Sequence, residues 1–345
     1  MSAAIYLLPL LTLLVGLGAL PLGRWLGVID HPGHGHKTHD RPTPLVGGFA
    51  IALPLLVFCG LNLWQNPESL VYAALIVAIT GAFLMGFFDD RRHLPSLFRL
   101  LYGAALALTS IAILPDFIVP HFDFTFLSAP LWLAPFAIAF SVLVIVGMMN
   151  AINMLDGMNG LASGLCLIWA LFLLFYAPPE ILSLVVLLAL CLFVTLVFNL
   201  RGKLFLGDSG TCATGLTIAL LTVYTYNMTE GRLYADAVVA WFIVPVIDCL
   251  RLMAVRALEH RSPMSPDTNH LHHRLQRLIP RRWVVSTVWA MVAIPGAVAM
   301  AVPRWTVPAV LAVMGLYTVV LILSSERLSA RRKGYAFDRP VPLAE

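Results

Sequence analysis

The chain has 345 residues, 60% of them hydrophobic and 12% charged, with a formal net charge of +4. An average soluble domain is roughly 25% charged, so this composition excludes a soluble globular protein and describes a polytopic membrane protein. The small positive balance is not a nucleic-acid signal; gathered on one face it suits anionic lipid and phosphate-bearing substrates.

Apolar runs of about 17 to 25 residues, each able to cross roughly 30 Å of hydrocarbon, number about eleven. Their approximate extents are 4 to 23, 45 to 63, 70 to 88, 98 to 114, 131 to 149, 158 to 176, 182 to 198, 209 to 226, 235 to 256, 283 to 302 and 306 to 324. The predicted fold is all-α: one transmembrane catalytic domain over 1–345, with a cytoplasmic tail over 325–345. A periplasmic amino terminus leaves only Arg232 and Arg304 of the 22 Lys and Arg residues outside, a strong positive-inside bias. The first run has no basic residue before it and is followed by further spans, so it reads as a membrane helix and not a cleaved signal. Cys59, Cys166, Cys191, Cys212 and Cys249 lie within apolar runs without a CxxC pair and read as small buried hydrophobes.

In chain order, the first inner loop is DHPGHGHKTHDRPTPLVGG, 30–48. Its four histidines invite a metal reading, but the prolines and glycines give no helical spacing to hold tetrahedral ligands. Anion handling by Lys37, His39 and Arg41 is the preferred use, with an ordinary positive-inside loop as the alternative. Gly47 and Gly48 fit close helix packing. The third run ends in FFDDRRHLP, where Asp89 and Asp90 repel one another and call for Mg²⁺ or nearby Arg. The outer loop 115–130 suggests no chemistry. The fifth run then delivers NAINMLDGMNGLA to the same inner side. Asn150, Asn153, Asp156 and Asn159 recur every third residue and are expected to crowd one helical face as a wall of an active site. Asn150 and Asn153 read as hydrogen-bonding groups and Asp156 as base or metal ligand.

Further on, NLRGKLFLGDSGT sets Gly207, Asp208, Ser209 and Gly210 at a helix amino terminus, with free N–H groups for an anion and the flanking Arg201 and Lys203 as a phosphate neighbourhood; Asp208 as a plain N-cap is the alternative. Asp248 and Arg251, three apart, read as an in-helix ion pair that orients the next loop. That loop, 257–282, holds His270, His272, His273 and Arg274, too closely spaced for one zinc ion and better suited to a diphosphate. The last two runs and the tail carry no site signal, and Arg331, Arg332 and Lys333 read as a membrane-surface anchor.

Five polar segments thus converge on one membrane face, offering carboxylates for a cation, basic groups for phosphates and a lipid-facing scaffold. A secondary transporter would hold its polar groups near the midplane, and a scaffold protein needs no carboxylates beside histidines. NAINMLDGMNGLA, FFDDRRHLP, FLGDSGT and SPDTNHLHHRL resemble the motifs of the polyprenyl-phosphate N-acetylhexosamine-1-phosphate transferases, in family order over nearly the whole chain. The resemblance implies a multi-pass enzyme of the bacterial inner membrane that moves a sugar 1-phosphate from a UDP-N-acetylhexosamine onto undecaprenyl phosphate, releasing UMP. It implies Mg²⁺ or Mn²⁺ held by Asp208 with Asp89 and Asp90, a catalytic role for Asp89, Asp90 and Asp156, and substrate contacts from the other residues named. His-x-His-His-Arg looks like the UDP-N-acetylglucosamine branch; other N-acetylated donors, and the UDP-MurNAc-pentapeptide of the peptidoglycan branch, are the alternatives. Many relatives have Asp where this chain has Asn159, and no third acidic residue follows Asp89-Asp90. The assembly, monomer or homodimer, is left open.

Overall fold

The computed structural model describes residues 4–32, 41–229, 231–260 and 269–337, with side chains over 7–32, 41–229, 231–260 and 269–325. All eleven apolar runs are helical. The first is broken: α1 (Ala4–Leu17) and α2 (Ala19–Leu26) meet at Gly18 with a 73° bend. The expected single helix fails because Pro21 has no N–H to return to the Leu17 carbonyl, which ends α1 there. A short antiparallel pair, β1 (Ile29–Asp30) with β2 (Thr43–Pro44), precedes α3 (Gly47–Gln65), α4 (Leu70–Arg92) and α5 (Ser96–Ile113). A second pair, β3 (His121–Phe122) with β4 (Leu131–Trp132), leads to α6 (Ala137–Leu155), α7 (Leu161–Tyr176), α8 (Pro179–Leu200), α9 (Gly207–Met228) and α10 (Ala235–Leu258). The short α11 (Leu271–Leu275) and the long α12 (Arg281–Ala301) and α13 (Thr306–Phe337) complete the chain. The helix of α13 runs well past 325, where the tail was expected to begin.

Among the described residues, eight helices are long and apolar enough to cross a bilayer, nine if the bent pair is one span. The chain is a multi-pass membrane protein. The two remaining runs differ for separate reasons. At 16 residues α7 is short, and α9 is not lipid-facing at all: every residue from Ser209 to Tyr226 is buried. Enclosed by α3, α4, α6 and α7, α9 tolerates threonines, because the Thr211, Thr217 and Thr222 hydroxyls donate to carbonyls four residues back in their own helix.

Close approach to α9 is bought with glycine. The Gly47 and Gly48 N–H groups donate to the Phe205 and Leu206 carbonyls at 2.9 and 3.2 Å, and Gly86 of α4 lies directly on the Asp208 and Ser209 backbone. These contacts draw the amino-terminal end of α9 against α3 and α4. At the other end of the bundle, Asn227 donates to the Asp116 and Ile118 carbonyls, and the Ala235 N–H to that of Asp123. Among the described residues, the Asp pair, the turn after α6, Gly-Asp-Ser-Gly and the start of α11 gather at one end of the bundle.

Candidate active site

The two adjacent carboxylates at the end of α4 avoid their mutual repulsion by facing different partners. Asp89 is buried; its Oδ1 accepts the Leu94 N–H at 2.6 Å and its Oδ2 pairs with Arg99 of α5. Between them the chain leaves α4 through His93, a non-glycine residue at φ 49 whose N–H donates to the Asp89 carbonyl at 2.9 Å. Asp90 turns to α9 and accepts the N–H groups of Asp208 and Ser209 at 2.7 and 3.0 Å. This is an N-cap delivered from another helix. The free N–H groups expected to greet an anion at Gly-Asp-Ser-Gly are thus taken by the protein's own carboxylate.

With Asp90 capping, Asp208 is released from the N-cap role and faces sideways. Asn153 Nδ2 donates to its Oδ1 at 2.7 Å and also lies 3.5 Å from Cys212 Sγ, while Arg99 Nη1 stands 4.0 Å from its Oδ2. Asp156 follows at the end of α6, half-buried, its carboxyl pushed up to about 7 by burial and by the nearby Asp208 charge. Asn153, Asp156 and Asp208 open onto a cleft of about 770 Å³, whose further lining includes Arg41, Arg201, Arg281, Phe205, Asn159 and Asn199.

The expected single face of Asn150, Asn153, Asp156 and Asn159 does not form. Three residues advance a helix by about 300°, so each step drifts about 60° and three steps reach the opposite side; moreover α6 stops at Leu155. Asn150 turns away, donating to the Val146 carbonyl of its own helix at 2.8 Å. It lines a second, apolar cavity of about 840 Å³ between α6 and α10, walled by Leu143, Met154, Val239, Phe242 and Met253. Asp156 and Asn159 reach the polar cleft from the turn after α6. That turn is held by Asn199, whose Oδ1 accepts the Gly160 N–H and the Ser163 hydroxyl at 2.7 and 3.0 Å, while its Nδ2 donates to the Leu204 carbonyl at 3.0 Å. Gly160 sits at φ +83, a conformation that favours glycine.

The histidine motif divides. His270 is buried against α10, its Nδ1 3.0 Å from Asp248 Oδ2. Arg274 faces α13 and donates to Ser325 Oγ at 2.9 Å. His272 is buried and outside the cleft lining, but lies directly behind it: a Cβ on the cleft-lining Gly157 would lie 2.5 Å from its Nε2. Burial, with His273 and His270 beside it, pushes this ring down to about 3, so it is neutral at physiological pH and not the cation the sequence suggested. Neither ring nitrogen has a hydrogen-bond partner, an omission worth about 1 to 3 kcal/mol that a ligand's polar group recovers. Lys203 is exposed and outside the cleft lining, where Arg201 stands instead. Arg41 lines the cleft; Lys37 and His39 lie outside the described residues.

Among the described residues, no three His, Cys, Asp or Glu side chains form a metal cage, and the oxygens of Asp89 and Asp90 accept hydrogen bonds from the protein itself. The donor set still fits Mg²⁺, which binds through one or two carboxylates and completes its shell with water and phosphate oxygens. Asp208 and Asp156 are like charges at the cleft, and Asn153 adds an amide oxygen. Sequence reasoning missed Arg99, Arg281, Phe205 and Asn199, and gave Arg201 only as a basic neighbour of Gly-Asp-Ser-Gly. Arg99 had a faint signal, a cation in the first turn of a helix, where the dipole disfavours it.

Residues 72–226 match the family model described as glycosyl transferase family 4. The chain is 30% identical to a probable undecaprenyl-phosphate N-acetylglucosaminyl 1-phosphate transferase of Bacillus subtilis, over 72% of this chain and 70% of the relative. It is 30% identical to a decaprenyl-phosphate N-acetylglucosaminephosphotransferase of Mycobacterium tuberculosis over 73% and 70%. It is also 27% identical to the undecaprenyl-phosphate α-N-acetylglucosaminyl 1-phosphate transferase of Escherichia coli K12 over 75% and 72%. The matched span holds the Asp pair, the Asn and Asp turn and the Gly-Asp-Ser-Gly cap, and the chain belongs to glycosyl transferase family 4, with the polyprenyl-phosphate N-acetylglucosamine 1-phosphate transferases.

Proposed function

We propose that this protein transfers N-acetylglucosamine 1-phosphate from its UDP derivative to undecaprenyl phosphate at the cytoplasmic face of the bacterial inner membrane, releasing UMP. One observation carries the reading: the last turn of α6 divides a polar cleft, with Asn153 on its wall, from an apolar groove, with Asn150 and Met154 on its wall. A soluble diphosphate and a prenyl tail each have a matching compartment, and the compartments adjoin where the lipid phosphate must meet the sugar phosphate.

In this reading Arg41, Arg201 and Arg281 receive the diphosphate through charge-assisted hydrogen bonds. Asp208, Asp156 and Asn153 would hold Mg²⁺, which would supply charge neutralisation to the phosphate oxygens. A lipid phosphate oxygen forms the new bond to the β-phosphorus, and the electron pair of the cleaved P–O bond leaves on UMP. Its second pKa near 6 leaves the lipid phosphate mostly ionised, so no general base is required. Direct attack is favoured over an aspartyl-phosphate intermediate because both oxygens of Asp89 and of Asp90 are already engaged. Phe205 offers an aromatic face in the cleft for the uracil, and the neutral His272 a hydrogen bond to the sugar phosphate. Lys37 remains the proposed contact to the lipid phosphate, while Arg41, expected to share that contact, lines the polar cleft.

The test is UMP release by purified protein with undecaprenyl phosphate, Mg²⁺ and a panel of UDP-N-acetylhexosamines. Lipid-dependent UMP from UDP-N-acetylglucosamine, abolished by EDTA and by Asp208→Asn, is expected. UMP release without lipid would refute direct attack. Turnover of a different sugar alone would reassign the donor.

A further inference from the structure

Outside the cleft lining, the carboxylate of Asp248 gathers four hydrogen-bonding partners. It is 1% exposed and lies inside α10. Its oxygens accept from His270 Nδ1 at 3.0 Å, from Arg251 Nη2 at 2.9 Å, from the Tyr317 hydroxyl at 2.8 Å and from the Leu271 N–H at 3.1 and 3.2 Å. These partners come from three helices. Arg251 closes the arrangement, its Nε donating to the Tyr317 oxygen at 2.6 Å and its Nη2 to the Asn269 carbonyl at 2.6 Å.

The consequences run along α11. The bond to the Leu271 N–H sets where that helix begins, and the bond to His270 makes Nδ1 the donor and locks the ring. The His272 ring then stacks on His270 at 5.8 Å with the planes 8° apart, which aims its edge at Gly157 on the cleft. One turn further on, Arg274 is tied to Ser325 of α13. Among the described residues no α13 side chain lines the cleft, yet α13 braces the motif at two levels.

We propose that Asp248, held by Tyr317, is the positioning residue that presents His272 to the nucleotide sugar, and that α13 is thereby a working part of the donor site. This rests on the transferase reading above. Asp248 touches no substrate in this scheme; it acts through His270 and the start of α11.

The experiment uses the full-length enzyme in detergent with Tyr317→Phe, Asp248→Asn and Asp248→Glu. KM is measured for UDP-N-acetylglucosamine and for undecaprenyl phosphate separately, with melting temperature alongside. Tyr317→Phe keeps every charge and loses only the two hydrogen bonds of the hydroxyl, to Asp248 and from Arg251, so it guards against a misfolded Asp248→Asn. A rise of about 3- to 10-fold in the sugar KM for Tyr317→Phe, and more for Asp248→Asn, is expected, with the lipid KM within about twofold. Asp248→Glu recovers part of the loss. A fall in kcat and melting temperature with both KM values unchanged would mean a merely structural role and overturn the proposal, as would unaltered kinetics in folded variants. If the wild type releases no UMP from any UDP-sugar, the transferase reading itself fails and takes the proposal with it. An active wild type beside insensitive variants refutes the proposal alone.

Discussion

Substituting Gly86 by alanine tests whether Asp90 works by capping α9. A Cβ there falls on the Asp208 carbonyl and the Ser209 amide, far inside the 3.0 Å that real Cβ atoms respect. These atoms are backbone in a fully buried helix, so nothing small yields, and α4 must move away from α9 by roughly 1 Å. Asp90 lies one turn along α4, and such a shift stretches its bonds of 2.7 and 3.0 Å to the Asp208 and Ser209 N–H groups beyond hydrogen-bond reach. Hydrogen bonds to a charged acceptor contribute about 1.5 to 3 kcal/mol each. The loss comes where Asp208 is oriented, and a displacement of that size at a reacting centre costs about 100-fold in rate. The assay is lipid-dependent UMP release, with thermal unfolding of the detergent-solubilised protein and Gly60→Ala as the control, since a Cβ at Gly60 meets nothing within 4 Å. Activity within twofold of wild type and an unchanged melting temperature for Gly86→Ala would refute the reasoning.

Arg99→Ala leaves the buried Asp89 charge without its cation and is expected to destabilise the protein by about 3 kcal/mol, read as a lowered melting temperature that Arg99→Lys largely restores. Asn153→Ala should lower kcat by about 10- to 100-fold by freeing Asp208, whereas Asn150→Leu, on the apolar side of α6, should leave the KM for the UDP-sugar unchanged; equal effects would erase the two-compartment reading. The carboxyl of Asp156, raised to about 7, favours the folded state when protonated, so its contribution is fully present below the unfolded value of 3.8 and is lost as pH rises through 7. In metal-free buffer Asp156→Asn should therefore melt higher than wild type at pH 7.5 and equally at pH 4; a gain independent of pH would remove the like-charge account. Mg²⁺ should raise the wild-type melting temperature more at pH 7.5 than at pH 5, because the proton and the cation compete for the same carboxyl.

Hydropathy alone located every apolar run as a helix, because a chain that must satisfy its backbone within lipid has little choice but the helix. Alternation of spans likewise predicted that the Asp pair, the Asn and Asp turn, Gly-Asp-Ser-Gly and the histidines would share one end. What the apolar runs could not show was how completely α9 avoids lipid. At 22 residues α9 is long enough to cross, but its threonines and glycines leave it less apolar than the eight spanning helices, as suits a helix surrounded by protein. The division of labour among the polar groups was also hidden. Asp89 and Asp90 are adjacent in sequence yet serve Arg99 and α9 respectively, and Tyr317 meets Asp248 across 69 positions. Such pairings arise from tertiary packing, and no local pattern carries them. The three-residue spacing of the Asn and Asp stretch misled because helical drift sends Asn150 to the apolar side.

The last turn of α6, with Asn153 on one side and Asn150 and Met154 on the other, also constrains the shape of any molecule meant to block both compartments at once. One turn of helix is about 5.4 Å high and 10 to 12 Å across with its side chains. A compound joining a nucleoside directly to a straight alkyl tail cannot lie in both cavities without colliding with that post. Its linker has to bend around the end of the helix beside Asp156, and its tail has to leave the bend toward α10. Stiffening such a linker in the bent form should strengthen binding, and stiffening it straight should weaken it.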